Sequence, residues 1–272
     1  MVPCLAFCLG LASWSLLAAE RITIKGSDTM VILGQRWAEQ YMKRNPGVVI
    51  QVAAGGSGTG FSALINGTTD ICFASRPMTV YERQRLENRF GSRGVAIRCA
   101  VDGLSLYVHP SNPVESLTFD QIRGIYTGRI TRWEELGGID AEIIPYSRES
   151  NSGTFVYLKE EVLQEEEYDS LVRTLPGTAA IAQAVSRDVR AIGYGGAAYS
   201  KGIRELAIRR DLEDQAYPPT VENVMLGRYP LSRYLYIYLK ERPKGVLKDF
   251  LDWTLSDEGQ EIVEQVGYFP LR

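Results

Sequence analysis

From Ile22 onward, short apolar runs alternate with helical patterns: a strand over 22–25, a helix over 31–45, a strand over 48–53, a helix over 59–66 and a strand over 70–74. This alternation predicts an α/β chain with a parallel or mixed sheet covered by helices, its binding loops at the carboxyl ends of the strands. Three passages at that edge are built from small and hydroxyl residues: Gly26-Ser27-Asp28-Thr29-Met30, Gly55-Gly56-Ser57-Gly58-Thr59-Gly60, and Tyr146-Ser147-Arg148-Glu149-Ser150-Asn151-Ser152-Gly153-Thr154. The third follows an apolar strand over 142–146 and leads into a helix near Thr154. Each helix start leaves backbone N–H groups without intrahelical acceptors and favours negative charge, while Arg148 adds a planar cationic fork. One such passage is ordinary turn and cap chemistry. Three together with an arginine predict a shared oxyanion site.

Further segments feed the same edge. The strand over 70–74 runs into Ser75-Arg76-Pro77, which brings Ser75 and Arg76 there, with a solvated turn cation as the other reading of Arg76. Residues 95–101 and 104–108 are two apolar segments interrupted by Asp102-Gly103, read as a turn, a hinge or an acceptor placed in a site. A strand over 191–194 passes into a Gly195-Gly196 loop suited to close backbone packing. A long strand over 229–239 and amphipathic helices over 244–255 and 257–266 close the chain.

With 272 residues, the chain can bury one large core or two of common size. Its net charge of -3 lacks the basic surplus of a sequence-independent nucleic-acid binder, so no polynucleotide partner is expected. Residues 1–19 carry an apolar run and end in small residues, which reads as a secretory signal lacking its basic start. A periplasmic location follows, with no support for a lipid tether at Cys4 or Cys8. In the remaining chain, Cys72 and Cys99 lie inside strands, as a bridge or as buried thiols. Together with the single His109 they make no ordinary zinc site, and no metal or cofactor is expected.

The ordered set GSDTM at 26–30, GGSGTG at 55–60, ASRPM at 74–78, VDGL at 101–104, RESNSGT at 148–154, AIGY at 191–194 and YPLSR at 229–233 resembles the phosphate-binding proteins of ABC-type phosphate importers. The resemblance spans nearly all of the chain after the leader, and the Arg-x3-Ser-Gly-Thr element is its most specific part. It implies a two-lobe type II periplasmic binding-protein fold, with ligand in the interlobe cleft and two crossing strands. Lobe one would comprise 20–102 and 236–272, and lobe two 103–235. The expected ligand residues are Ser27, Asp28, Thr29, the Met30 N–H, Ser57, Gly58, Ser75, Arg76 and Asp102, with Arg148, Ser152, Gly153 and Thr154 from the second lobe. Where many relatives carry an aspartate that accepts the proton of a protonated phosphate, this chain has Arg76, so Asp28 or Asp102 is the expected acceptor.

The expected function is capture of inorganic phosphate by a monomer and its delivery to an inner-membrane ABC-type phosphate permease, without catalysis. Other tetrahedral oxyanions such as sulfate or molybdate, a phosphate-sensing role, and a secreted phosphatase using Ser57 or Ser152 are the alternatives. The last needs an activating base or metal cluster that the sequence does not offer.

Overall fold

The computed structural model describes residues 19–271, so the expected leader, apart from Ala19, lies outside the described residues. The chain begins with β1 (Glu20–Gly26), α1 (Val31–Arg44), β2 (Val48–Ala53), α2 (Ser57–Asn66), β3 (Ile71–Ala74) and α3 (Val80–Phe90). It continues with β4 (Val95–Val108), β5 (Ser116–Thr118), α4 (Phe119–Tyr126), β6 (Ile144–Ser147), α5 (Gly153–Glu161), β7 (Arg173–Thr174) and α6 (Gly177–Val185). The last elements are β8 (Ala191–Gly196), β9 (Arg204–Glu205), β10 (Ala207–Arg209), α7 (Val221–Met225), β11 (Ser232–Leu239), α8 (Gly245–Thr254) and α9 (Asp257–Val266).

One curled sheet runs in the order β2-β1-β3-β11-β4-β8-β6-β7, with β9 added on β4 and a separate β10-β5 pair. The first half has β1 parallel to β2 and β3, and β11 antiparallel to both β3 and β4. The second half has β6 parallel to β7 and β8, with β8 antiparallel to β4. Both halves therefore share β4. Its residues up to Gly103 pair with β11, and those from Leu104 pair with β8.

The hydrophobic cores change at the same point. Cys99 and Ala100 of β4 belong to a core built around Trp37, Phe73 and Phe250, whereas Leu104 and Leu106 belong to another built around Tyr126, Trp133 and Leu158. On β11, Leu235 and Ile237 belong to the first core, while Leu231 just before the strand belongs to the second. The change of core therefore falls between Ala100 and Leu104 on β4 and between Leu231 and Leu235 on β11, the short intervals that hold Asp102 and Arg233. These two residues are also direct cross-strand partners. This is the two-lobe fold, with β4 and β11 as its crossing strands.

The helices seat each lobe by local rules. On α1, Leu33, Trp37 and Tyr41 fall on one face at four-residue spacing and are buried, and the Trp37 indole donates to the Gly259 carbonyl on α9 at 2.8 Å. Thr79 and Glu82 close a capping box on α3, and Thr118 and Gln121 another on α4.

Several sequence expectations change in detail. Asp102-Gly103 does not interrupt β4, which is continuous over Val95–Val108, because Asp102 finds internal donors and needs no turn. The Gly195-Gly196 pair is strand rather than loop, because it pairs with Ser105 and Leu104 of β4, and the packing is close: a side chain at Gly195 would meet the Tyr107 ring and Thr178. The second Gly/Ser/Thr passage is mostly helix, with α2 starting at Ser57. The long strand over 229–239 starts only at Ser232, and the Tyr229 hydroxyl donates to the Leu104 carbonyl at 2.7 Å instead. Cys72 and Cys99 are unbridged, buried thiols that donate to the Phe73 and Leu235 carbonyls.

Candidate functional site

Four helix starts converge between the two halves. The single turn Asp28–Met30 ahead of α1 and the start of α2 come from the first, and the starts of α5 and α6 from the second. Gly56 permits the α2 approach, because its φ of 85° lies in the left-handed region and a Cβ there would sit 2.8 Å from the Asn151 carbonyl oxygen. Gly153 opens α5 so close to the facing half that a Cβ would lie 2.5 Å from Ser57 Oγ and 2.6 Å from Ser75 Oγ. Thr29 Oγ1 and Thr154 Oγ1 meet across the cleft at 3.0 Å.

Hydrogen bonding sets the direction of the hydroxyl protons. Arginine and backbone N–H groups can only donate, so a hydroxyl they bond must accept and is left with its own proton to give. Ser152 Oγ accepts from the Thr154 and Phe155 N–H groups as the α5 cap, and Ser57 Oγ accepts from the Ser75 N–H at 3.1 Å. Thr178 Oγ1 accepts from Arg148 Nη1 at 2.9 Å, and Thr154 Oγ1 from Arg233 Nη2 at 2.9 Å. Ser27 completes the floor by donating to Ser75 Oγ at 3.0 Å. The lining is thus rich in protons to donate, the property that suits an anion.

Fixed charges nearly cancel around it. Arg148, 1% exposed, reaches Asp28 Oδ2 across the cleft at 2.7 Å and Glu149 Oε2 at the rim at 3.0 Å. Counting the bond to Thr178, three of its five N–H groups are used and two remain. Asp102, fully buried, accepts from Arg233 Nε at 3.0 Å, from Arg233 Nη2 at 2.8 Å and, at Oδ1, from the Ala197 N–H at 3.1 Å. With both arginines matched by carboxylates, attraction for an anion comes from oriented N–H and O–H dipoles and helix N-termini.

Several tyrosines brace the site. The Tyr199 hydroxyl donates to the Asp28 carbonyl at 2.6 Å, and that of Tyr268 to the Thr29 carbonyl. Tyr194 Oη lies 2.6 Å from Ser147 Oγ, behind Arg148. Burial pushes the Tyr194, Tyr199 and Tyr268 hydroxyls above their ordinary range, so all three keep their protons.

Of the residues expected from sequence, Ser27, Asp28, Thr29, Ser57, Ser75, Arg148, Ser152, Gly153 and Thr154 come together. Arg76 points elsewhere. Its guanidinium forms a two-pronged pair with Glu82 at 2.7 and 2.8 Å and lies 4.8 Å from the Phe61 ring centroid. Asp102 lies behind Thr154 and is already occupied by donors, which makes it a partner of Arg233 rather than an open acceptor. The Met30 N–H donates to the Ser27 carbonyl, and the Gly58 N–H to the Asn151 carbonyl at 3.0 Å. Sequence reasoning missed Asn151 as a clasp, although its amide donates to Gly55 O and Thr59 Oγ1 on the facing half at 3.1 and 3.0 Å. It also missed Arg233 and Thr178. Arg233 lay within the YPLSR motif, and Thr178 stood behind Pro-Gly at a helix start.

Residues 15–258 match the PBP superfamily domain. The chain is 34% identical over 263 residues to the phosphate-binding protein PstS of Pseudomonas aeruginosa, covering 90% of this chain and 81% of that protein. It is 31% identical over 256 residues to PstS of Bacillus subtilis, covering 93% and 82%. The chain belongs to the PstS family of phosphate-binding proteins.

Solved relatives agree with this PstS-family assignment. A structure from Clostridium perfringens with bound phosphate, described as a phosphate ABC transporter substrate-binding protein, superposes with a TM-score of 0.85 at 32% identity, covering 93% of this chain and all of that one. An ABC-type phosphate transport receptor from Vibrio cholerae gives 0.72 at 26% identity, covering 91% and 99%. Among the described residues, no helix is long and apolar enough to cross a membrane, and no cluster of three or more His, Cys, Asp or Glu could hold a metal ion.

Proposed function

We propose that this PstS-family chain is an exported, periplasmic solute-binding protein that holds inorganic phosphate between its lobes, 20–102 with 236–272 and 103–235, and hands it to an ABC permease. It acts as a monomer and performs no chemistry on its ligand. The observation that carries this reading is the polarity of the cleft: Ser57, Ser152, Thr154 and Thr178 each accept from a fixed donor and keep a proton to give, beside the two unused N–H groups of Arg148. A small tetrahedral anion exchanges its hydration shell for these donors as the lobes close.

Selectivity in this reading falls to Asp28. Its Oδ2 accepts from Arg148, and as an ionised carboxylate it has acceptor capacity left for an acidic ligand proton. Sulfate brings no proton and meets only repulsion.

The test is calorimetry of the purified chain with phosphate, sulfate and molybdate between pH 6 and 9. The expected result is one phosphate per chain, weak or no heat with sulfate, and phosphate affinity that falls as the ligand loses protons. Equal affinity for sulfate removes the acceptor role, and no phosphate heat removes the reading. Hydrolysis of a chromogenic phosphomonoester would point instead to a phosphatase.

A further inference from the structure

Arg233 and Asp102 face each other in direct register on β11 and β4, at the step where both crossing strands pass between the two cores. Buried charges there need a reason, since an apolar pair would serve the hinge at least as well. The arginine does not stop at its carboxylate. Arg233 Nη2 donates to Thr154 Oγ1 at 2.9 Å, and Nη1 lies 3.5 Å from the Gly153 carbonyl. The guanidinium is held over the Tyr157 ring, 5.1 Å from its centroid, so its direction is fixed from several sides.

We infer that Arg233, anchored by Asp102, is a positioning residue that fixes the polarity of Thr154 and thereby couples the crossing strands to anion recognition. Arg233 cannot accept a hydrogen bond, so one lone pair of Thr154 Oγ1 is filled and the hydroxyl proton turns away from the hinge, toward Thr29 and the cleft. Without that donor, the Thr154 hydroxyl can also turn its proton back toward the hinge, and in that orientation it offers a lone pair to an anion and repels it. Asp102 keeps the guanidinium in register and, through Oδ1, holds the Ala197 N–H of the second lobe. The inference rests on the phosphate reading above.

The experiment is a double-mutant cycle on phosphate affinity, measured by calorimetry with wild type, Arg233→Met, Thr154→Val and the two combined. Arg233→Met is expected to weaken inorganic phosphate binding about tenfold in the wild-type background, or about 1.4 kcal/mol. With Val at 154 the same change is expected to have less than about twofold effect, because no hydroxyl remains to orient. A purely structural Arg233 would give factors that multiply, and that result overturns the inference. Since Arg233→Met leaves Asp102 buried without a partner, the cycle is repeated on the Asp102→Asn/Arg233→Met chain, which removes both charges. Coupling that appears in the first series but not in this one comes from the stranded Asp102 charge, and it overturns the inference as well. If the wild type itself takes up no phosphate, the functional reading fails first and this inference falls with it.

Discussion

Gly153→Ala places one methyl group in the closing surface of the cleft. Its Cβ would stand 2.5 Å from Ser57 Oγ and 2.6 Å from Ser75 Oγ, where ordinary contact begins at 3.4 Å. The obstructing atoms belong to short serines that are pinned: Ser57 Oγ by the Ser75 N–H, and Ser75 Oγ by Ser27. The walls must therefore separate by about 0.9 Å. Overpacking of this kind costs about 1–3 kcal/mol. Here the strain lies between the two lobes and is relieved when they part, so it opposes closure rather than folding. At the first position of α5, alanine is moreover as good a helix former as glycine or better. Calorimetry should show phosphate affinity reduced by roughly 5- to 150-fold, while the melting temperature without phosphate stays within about 1 °C of wild type or rises. A lowered melting temperature without phosphate, or an undiminished affinity, would refute the claim that Gly153 is kept for closure.

Arg76→Met should leave phosphate affinity within about twofold, because the guanidinium serves Glu82 and Phe61, yet should lower stability to urea by about 2 kcal/mol as the Glu82 carboxylate loses its partner. Asp28→Asn removes the acceptor charge and should cut the phosphate-to-sulfate affinity ratio by about tenfold in competitive titration. Burial, with repulsion from Asp102, pushes Glu205 up to about 7 from an ordinary value of 4.5. Its protonated form is the one the fold favours, so its contribution is complete below pH 4.5 and is lost as pH rises through about 7. Urea melts in the absence of phosphate should show Glu205→Gln gaining on wild type by up to about 3 kcal/mol at pH 8, with little gain at pH 4.5.

The sequence reveals the site where chemistry is local and hides it where geometry is distant. Glycine and hydroxyl residues at strand ends advertise helix starts, so Thr29, Ser57, Ser152 and Thr154 can be found by pattern. Arg76 follows the same pattern and is misleading, because nothing in the segment 74–78 shows that Glu82, one turn into α3, offers a closer partner than the cleft. Asp102-Gly103 looks like an interruption for a related reason: its donors, Arg233 and the Ala197 N–H, come from 131 and 95 positions away. Alternating apolar and helical segments anticipate the mixed sheet and its covering helices. The two-lobe division comes from the resemblance, and its physical mark, the change of core between Ala100 and Leu104 on β4 and between Leu231 and Leu235 on β11, depends on strand register that no local pattern encodes.

Calorimetric titration of inorganic phosphate into wild type and into the folded Arg148→Ala/Ser152→Ala chain tests most directly the claim that both lobes clasp an oxyanion through fixed donors. Saturable one-to-one binding by wild type that is lost, or weakened at least a hundredfold, in the variant is the predicted result. Binding left unchanged by the two substitutions would contradict it.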